Sequence, residues 1–412
     1  MIFIRTYGCT FNTSDTRTME HILGDDITDC IEDADIVIFN TCGVKDQTQH
    51  KVIKDILSMK GQKRVIVAGC LPLIDLGAIP DFVDAVIGPE QVDRIGDIVA
   101  AVRNGKRVVE ISGRVEHPKL MPQRLSGGTV AIIPISLGCL GSCTYCATRF
   151  ARGSLRSYMP DDIVAHVADV VARGYRELQL TSQDTGCYGY DIGHTLPSLI
   201  SGICEVEGRF RLRIGMMNPN HTISHLDELI EAYRSEKVFK FIHVPVQSGS
   251  DSVLKAMNRK YTIDGFSTII ERFRDAFPDI YVATDIIVGF PGETEDQFLE
   301  SCALVDRMRF DKVNITRYSA RPKTPAASLP QFPDRIKKDR SRILSALVHK
   351  HSADINAPYK GTVRQALVTN KGKKGRMIGR LDNYKPVVCD GEIGSFIDVR
   401  IKDFTSTYLI GD

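Results

Sequence analysis

The chain is defined first by what it lacks. Its formal net charge over 412 residues is only +2, too little to name an acidic partner, although a local basic region can still bind nucleic acid. No apolar run reaches the roughly 18 residues of a membrane-spanning helix, and the opening MIFIRTYGC does not have the three-part layout of an export signal. These absences lead us to expect a cytoplasmic protein with no membrane partner. The glycine-bearing stretches contain neither GxxxxGK(S/T) nor GxGxxG, which argues against a nucleoside-triphosphate loop and a dinucleotide fingerprint. Low-complexity tracts are missing too. What remains, 43% hydrophobic and 25% charged, is an ordinary globular composition, long enough for two or three domains.

The order of apolar runs predicts an α/β fold. MIFIRTY, ADIVIFN, KRVIVAG and FVDAVIG read as strands, with helices from about Thr13, Val44 and Gln91. Such alternation suits a parallel sheet covered on both faces, because parallel strands need long crossovers. GRVEHPKLMPQRLSGG then collects Pro, Gly and charge and reads as a linker. From Val130, six further strand candidates follow (AIIPISLG, RELQLTSQ, RLRIG, KFIHVPVQ, YVATDIIVGF and KVNITRYS), separated by helical stretches. Six such units predict a partial (β/α)6 barrel with functional residues near the C-terminal strand ends. A basic helix after Pro333 leads into glycine-punctuated runs from Lys360, which predict a small antiparallel β-barrel. The expected domains are residues 1–115, a linker over 116–129, a central domain over 130–350 and a terminal barrel over 351–412.

Eleven cysteines in a chain of this size point away from an extracellular disulfide scaffold and toward metal, cluster or redox chemistry. Cys139, Cys143 and Cys146 form CxxxCxxC in GCLGSCTYCATRFARG. That spacing lets one short loop gather three soft thiolates, which suits iron–sulfur ligation and leaves one iron of a four-iron cluster open to a small molecule. A zinc knot needs a fourth ligand, and the nearby His166 lies across a predicted helix. A dithiol redox pair leaves Cys139 unexplained. Cys9, Cys42 and Cys70 are distant in sequence, but each directly follows one of the first three strands. Parallel topology therefore brings them to one sheet edge; the alternative for each is a small buried apolar residue.

The motifs TYGCTFNTSD, NTCGVKDQTQHK, AGCLP, GCLGSCTYCATRFARG, LQLTSQDTGCYGYD, HVPVQSGSDSVLKAMNRKYT and TDIIVGFPGETEDQF, in that order, resemble the radical S-adenosylmethionine methylthiotransferases. The likeness is greatest to the archaeal and eukaryotic type acting on threonylcarbamoyladenosine at position 37 of transfer RNA. The resemblance implies an N-terminal methylthiotransferase domain, a radical S-adenosylmethionine barrel and a TRAM-like end. It implies that Cys139, Cys143 and Cys146 hold the radical-generating [4Fe-4S] cluster and that Cys9, Cys42 and Cys70 hold an auxiliary [4Fe-4S] cluster. One S-adenosylmethionine then donates methyl to cluster-bound sulfur, and a second supplies the radical that takes hydrogen from C2 of the adenine. With three ligands assigned to each cluster, Cys187 is expected to be passive, and Cys30, Cys204, Cys302 and Cys389 to pack. Tyr145, Gln183, Arg213, His243, Gln247 and Asp285 are the expected contacts to S-adenosylmethionine, whose charged amino acid and ribose need directed donors and acceptors. RYSARPKTPAA carries Lys323 where many members of the family are expected to have glycine.

Between Lys360 and Lys385 stand eight cations against one acid, Asp382, a concentration that attracts phosphate without reading sequence. The resemblance implies the anticodon loop of transfer RNA as partner, with Arg149, Arg152 and Arg317 as candidate contacts to the target base. An electron donor such as flavodoxin or ferredoxin is implied, the sulfur donor is unassigned, and a monomer is expected. Isopentenyladenosine in transfer RNA, or an aspartate of a ribosomal protein, would use the same two-cluster machinery. An RNA-binding protein with a structural metal accounts for the basic end alone.

Overall fold

A computed structural model describes residues 1–43, 46–113, 118–125 and 127–412 and divides the chain into two compact units. The first comprises Met1–Ser126, Ser136–Tyr158 and Ser319–Ser328. Its centre is a parallel sheet of β1 (Ile2–Thr6), β2 (Ile36–Thr41), β3 (Arg64–Gly69), β4 (Ala85–Ile87) and β5 (Val108–Glu110), paired in sequence order. Strand β2 is buried along its whole length, as a central strand covered on both faces must be. Its alternate residues serve two cores. Ile36 and Ile38 pack with Met19 of α1 (Thr10–Leu23) and Ile95 and Val99 of α4 (Ile95–Arg103). Val37 and Phe39 pack with Val52 and Ile56 of α2 (Asp46–Leu57). Strand β5 has only three residues, too few for a period to show in the sequence.

The expected helix start at Val44 and the expected boundary between residues 115 and 116 lie outside the described residues. Part of the expected linker is described and is strapped to α1: the Arg124 N–H donates to the Arg17 carbonyl at 2.8 Å, and Gln123 is buried with its amide on Ser14 Oγ. The short helices α3 (Leu71–Ile74) and α5 (Thr148–Arg152) complete this unit, with a two-stranded ribbon pairing Ser136–Leu137 to Arg156–Ser157.

The second unit comprises residues 127–135, 159–318 and 329–412. The six expected strands appear as two parallel arcs. One has β6 (Val130–Pro134), β7 (Glu177–Thr181) and β8 (Arg211–Arg213) in the order β8-β7-β6; the other has β9 (Phe241–His243), β10 (Tyr281–Val288) and β11 (Lys312–Arg317) in sequence order. The segment before β9 joins the arcs, since the Phe239 N–H donates to Leu212 and the Leu212 N–H to Lys237. Helices α6 (Pro160–Ala172), α7 (Leu196–Glu205), α8 (Leu226–Ala232), α9 (Ile263–Ala276) and α10 (Glu295–Met308) alternate with the strands. Helix α11 (Asp334–Asn356) then runs unbroken across the expected boundary at residue 350.

The end of the chain is a closed antiparallel-rich barrel of β12 (Val363–Lys371), β13 (Met377–Leu381), β14 (Pro386–Cys389), β15 (Phe396–Phe404) and β16 (Leu409–Gly411). Val368, Leu381, Val387, Cys389, Val399, Ile401 and Leu409 fill it. Its β13–β14 turn docks on the barrel strands of the same unit: Tyr384 Oη donates to Glu177 Oε1 at 2.8 Å, and the buried Lys385 ammonium bonds Asp311 and Asn356, each at 2.8 Å. Among the described residues no helix is long and apolar enough to cross a membrane.

Candidate metal centres and cofactor site

Strand register carries the first cysteine trio to one edge. Thr41 pairs with Gly69 and Thr6 with Asn40, so Cys42 and Cys70 leave their strands at one level and Cys9 follows at the head of α1. Gly8 makes the approach possible: at φ +112° a Cβ there would stand 2.6 Å from Cys42 Cβ. Beneath the sulfurs lies a lattice of buried amides. Asn12 Nδ2 donates to the Thr41 carbonyl at 3.0 Å, Asn40 Nδ2 donates to the Asn12 carbonyl at 2.7 Å, and the Cys9 thiol donates to Asn12 Oδ1 at 3.4 Å. This lattice fixes where β1, β2 and α1 release their cysteines.

Burial pushes the Cys70 thiol up to about 11, the nearby Cys42 and Cys9 sulfurs adding to that while the Arg152 guanidinium opposes it. Arg152 comes from α5, directly after the second trio. It is 3% exposed, pairs with Asp15 at 2.5 Å and lies 4.6 Å over the Phe11 ring. This corrects its expected role as a contact to the RNA base: a guanidinium so enclosed faces protein. Arg149, on the same short helix, is exposed. Sequence reading missed Arg152 here because its carboxylate partner stands 137 positions away.

The second trio sits on a loop pinned at both ends. The Ser136–Leu137 ribbon closes it, the Cys139 N–H donates to the Gly153 carbonyl at 3.3 Å, and the Ala326 N–H donates to Thr144 O at 2.9 Å. Within it the Gly141 N–H donates to Cys139 Sγ at 3.1 Å. Burial raises the Cys146 thiol, with Cys143 and Cys139 close enough to add to the effect. The two trios share a packed wall, in which Cys70, Leu73 and Ile74 meet Ala147, Phe150 and Ala151. Tyr145 of this loop is half-buried.

The donor sets suit clusters. Both are all-thiolate and grouped, and one faces a buried cation able to offset thiolate charge. Among the described residues, Asp184, Cys187 and His221 are the only trio of His, Cys, Asp or Glu whose ligand atoms all lie within 4.8 Å of one another. Neither cysteine trio is drawn in as tightly as the ligands of a single ion. That tighter group is a hydrogen-bonded knot: Asp184 accepts from the Gly186 and Asn218 N–H groups at 3.0 Å each and sits 2.8 Å from His221 Nδ1. Cys187 is fully buried with its thiol on the Asp184 carbonyl, and Cys389 lies in the terminal barrel core. Cys30 departs from the packing expectation, being exposed and bonded to Glu32 at 3.0 Å, because its Asp- and Glu-rich turn lies outside both cores.

The remaining expected contacts lie in the second unit at two levels. Gln183 follows the end of β7. Gln247 is held at φ +71°, a left-handed conformation costly for a glutamine; its N–H donates to the Asp285 carbonyl and its own carbonyl accepts from Ile287. Arg213 and His243 stand lower. Arg213 pairs with Gln179 and His243 with Ala283, well before β7 and β10 end at Thr181 and Val288. Both line one cavity, and His243 Nε2 and Asn314 Nδ2 both meet Asp285 Oδ1, at 3.0 and 2.7 Å. A short strand's last residue is not always at the sheet's C-terminal edge, and register decides.

Three family models match the chain: an uncharacterized family designated UPF0004 over residues 1–88, the radical SAM superfamily over 133–305, and the TRAM domain over 358–412. A radical S-adenosylmethionine methyltransferase from Kitasatospora setae, 13% identical, shares the fold over 79% of this chain and 74% of its own at a TM-score of 0.60. A probable threonylcarbamoyladenosine tRNA methylthiotransferase of Archaeoglobus fulgidus is 46% identical over the whole of this chain and 98% of its own length. The threonylcarbamoyladenosine tRNA methylthiotransferase of Danio rerio is 38% identical, again over the whole chain and 78% of its own length. With two cysteine trios on one compact unit, a radical SAM barrel and a TRAM end, the chain belongs to the family of threonylcarbamoyladenosine tRNA methylthiotransferases.

Proposed function

We propose that this chain attaches a methylthio group to C2 of the adenine in threonylcarbamoyladenosine of transfer RNA. The observation that carries the reading is the presence of two thiolate trios beside one packed wall, with the Arg152 guanidinium facing the Cys9 and Cys70 sulfurs of the first. Cys139, Cys143 and Cys146 would hold the radical-generating [4Fe-4S] cluster and Cys9, Cys42 and Cys70 a second one. When bound, these groups and S-adenosylmethionine supply the radical, the sulfur and the methyl group. The chain's own residues place and enclose that chemistry. Arg152 balances thiolate charge, the Asn12 and Asn40 amides set the sheet edge, and the Ala326–Thr144 bond holds the cysteine loop in place. Tyr145, Gln183 and Gln247 are the proposed contacts to S-adenosylmethionine, the strained Gln247 backbone supporting that assignment. Asp285 is the proposed link from Gln247 down to His243.

The TRAM barrel is the proposed RNA-binding part. Of its basic run, Lys360, Arg364, Arg376 and Lys385 are paired with Asp403, Asp279, Asp390 and Asp311. Lys371 and Lys373 are exposed and have no ion pair among the described residues, so they are surface cations offered to phosphate. The proposal places the chain in the cytoplasm as a monomer, with a flavodoxin- or ferredoxin-type donor and the anticodon loop as partner. The test is mass spectrometry of nucleosides from transfer RNA incubated with reconstituted protein, reductant and S-adenosylmethionine. A methylthio gain on threonylcarbamoyladenosine is expected. A gain on isopentenyladenosine instead, or none while S-adenosylmethionine is cleaved, overturns the substrate.

A further inference from the structure

A cavity of about 420 Å³ opens in the second unit, walled by the lower halves of β10 and β11, by α11 and by the β13–β14 turn of the terminal barrel. Its size falls within the roughly 300–1,000 Å³ of small-molecule sites. Its charge is one-sided. Arg213, Lys312, Arg380 and Lys385 line it against a single carboxylate, Asp311, which is already paired with Lys385. The Arg213 guanidinium rests 4.9 Å over Phe241 and 5.4 Å over Tyr384, and that of Arg380 lies 4.6 Å over the same Tyr384 ring. Among the described residues neither guanidinium has a hydrogen bond or a carboxylate partner, Lys312 has none either, and Arg380 Nε is buried without an acceptor.

Two half-buried guanidinium groups are costly to hold side by side with no counter-charge, and that cost falls if an anion completes the site. We propose that this cavity binds a phosphate group of a nucleotide, either free or within an RNA chain. Planar guanidinium forks match phosphate oxygens in pairs, so Arg213, Arg380 and Lys312 can meet either the doubly charged monoester of a free nucleotide or the two free oxygens of a singly charged RNA diester. The ring-backed arginines and the Asn314 amide favour a nucleotide over inorganic phosphate. Arg213 and His243 serve this site, below the level of Gln183 and Gln247.

The experiment is calorimetric titration of the full-length reconstituted protein with adenosine 5′-monophosphate and, separately, with neutral adenosine. The monophosphate is expected to bind and adenosine not to; Arg380→Gln and Lys312→Gln should each weaken the monophosphate by about tenfold and leave the affinity for S-adenosylmethionine unchanged. Displacement of the monophosphate by an anticodon stem-loop identifies RNA as the source of the phosphate. Failure to displace it identifies a free nucleotide, and either result supports the site. No monophosphate binding at millimolar concentration, equal affinity in Lys312→Gln and the parent, or loss of S-adenosylmethionine instead, overturns it. Lys312 is exposed, so its variant folds even if an arginine variant does not, and the result stands whichever base the enzyme modifies.

Discussion

At the scale of single residues, the chain spends conformational freedom where the chemistry is. Gly8 admits Cys42 only because it has no side chain. Gly8→Ala should therefore lower iron from about eight to about four atoms per reconstituted chain without unfolding it, as iron analysis and circular dichroism would show. Lys323 is the opposite case: it occupies φ +67°, where many members of the family are expected to have glycine. Lys323→Gly should raise stability by about 0.5–1 kcal/mol in denaturant unfolding. Arg152→Met should lose about 3–5 kcal/mol because it strands the buried Asp15 carboxylate, whose protonation burial already favours. The cysteines were legible in the sequence, since their spacing and strand-end positions are local signals. Arg152 was not, because burial against a residue far along the chain leaves no local mark.

Helices and strands show where periodicity suffices and where register is needed. The strongly buried β2 and the six barrel strands stand out as apolar runs, whereas three-residue β5 does not. The low position of Arg213 and His243 follows from pairing with β7 and β10, which no single strand's sequence contains. The turn between β13 and β14 was equally hidden. In the sequence Lys385 is one more cation of the basic run, but the turn buries it between Asp311 and Asn356. Lys385→Met should loosen that turn and cost about 3–5 kcal/mol by leaving Asp311 unpaired, seen as faster hydrogen exchange across β13 and β14. Lys240 tests the same region through pH. Its ammonium is half-buried beside Arg211 and its pKa is pushed down to about 8 by burial. A cation disfavoured in the fold binds fewer protons there than in the unfolded chain, so stability should rise with pH from about 8 to about 10.5. Against Lys240→Met, the parent's relative stability should climb through that window in unfolding titrations.

Over the whole molecule, the domain order carried the family and the substrate class, and the compact units added what order could not. The loop that carries Cys139, Cys143 and Cys146 belongs to the same unit as the first 126 residues, together with Ser319–Ser328. A linear reading separates those pieces into two domains, because only tertiary packing returns residues 136–158 to the parallel sheet. That packing gives the central claim its form: two trios, separately ligated, with separable duties. The most direct test is Cys42→Ala in the reconstituted enzyme, read by iron content, reductive cleavage of S-adenosylmethionine and nucleoside mass spectrometry on one sample. The account predicts about half the iron, retained cleavage and no methylthio product. Full methylthiolation with the second cluster gone would contradict it.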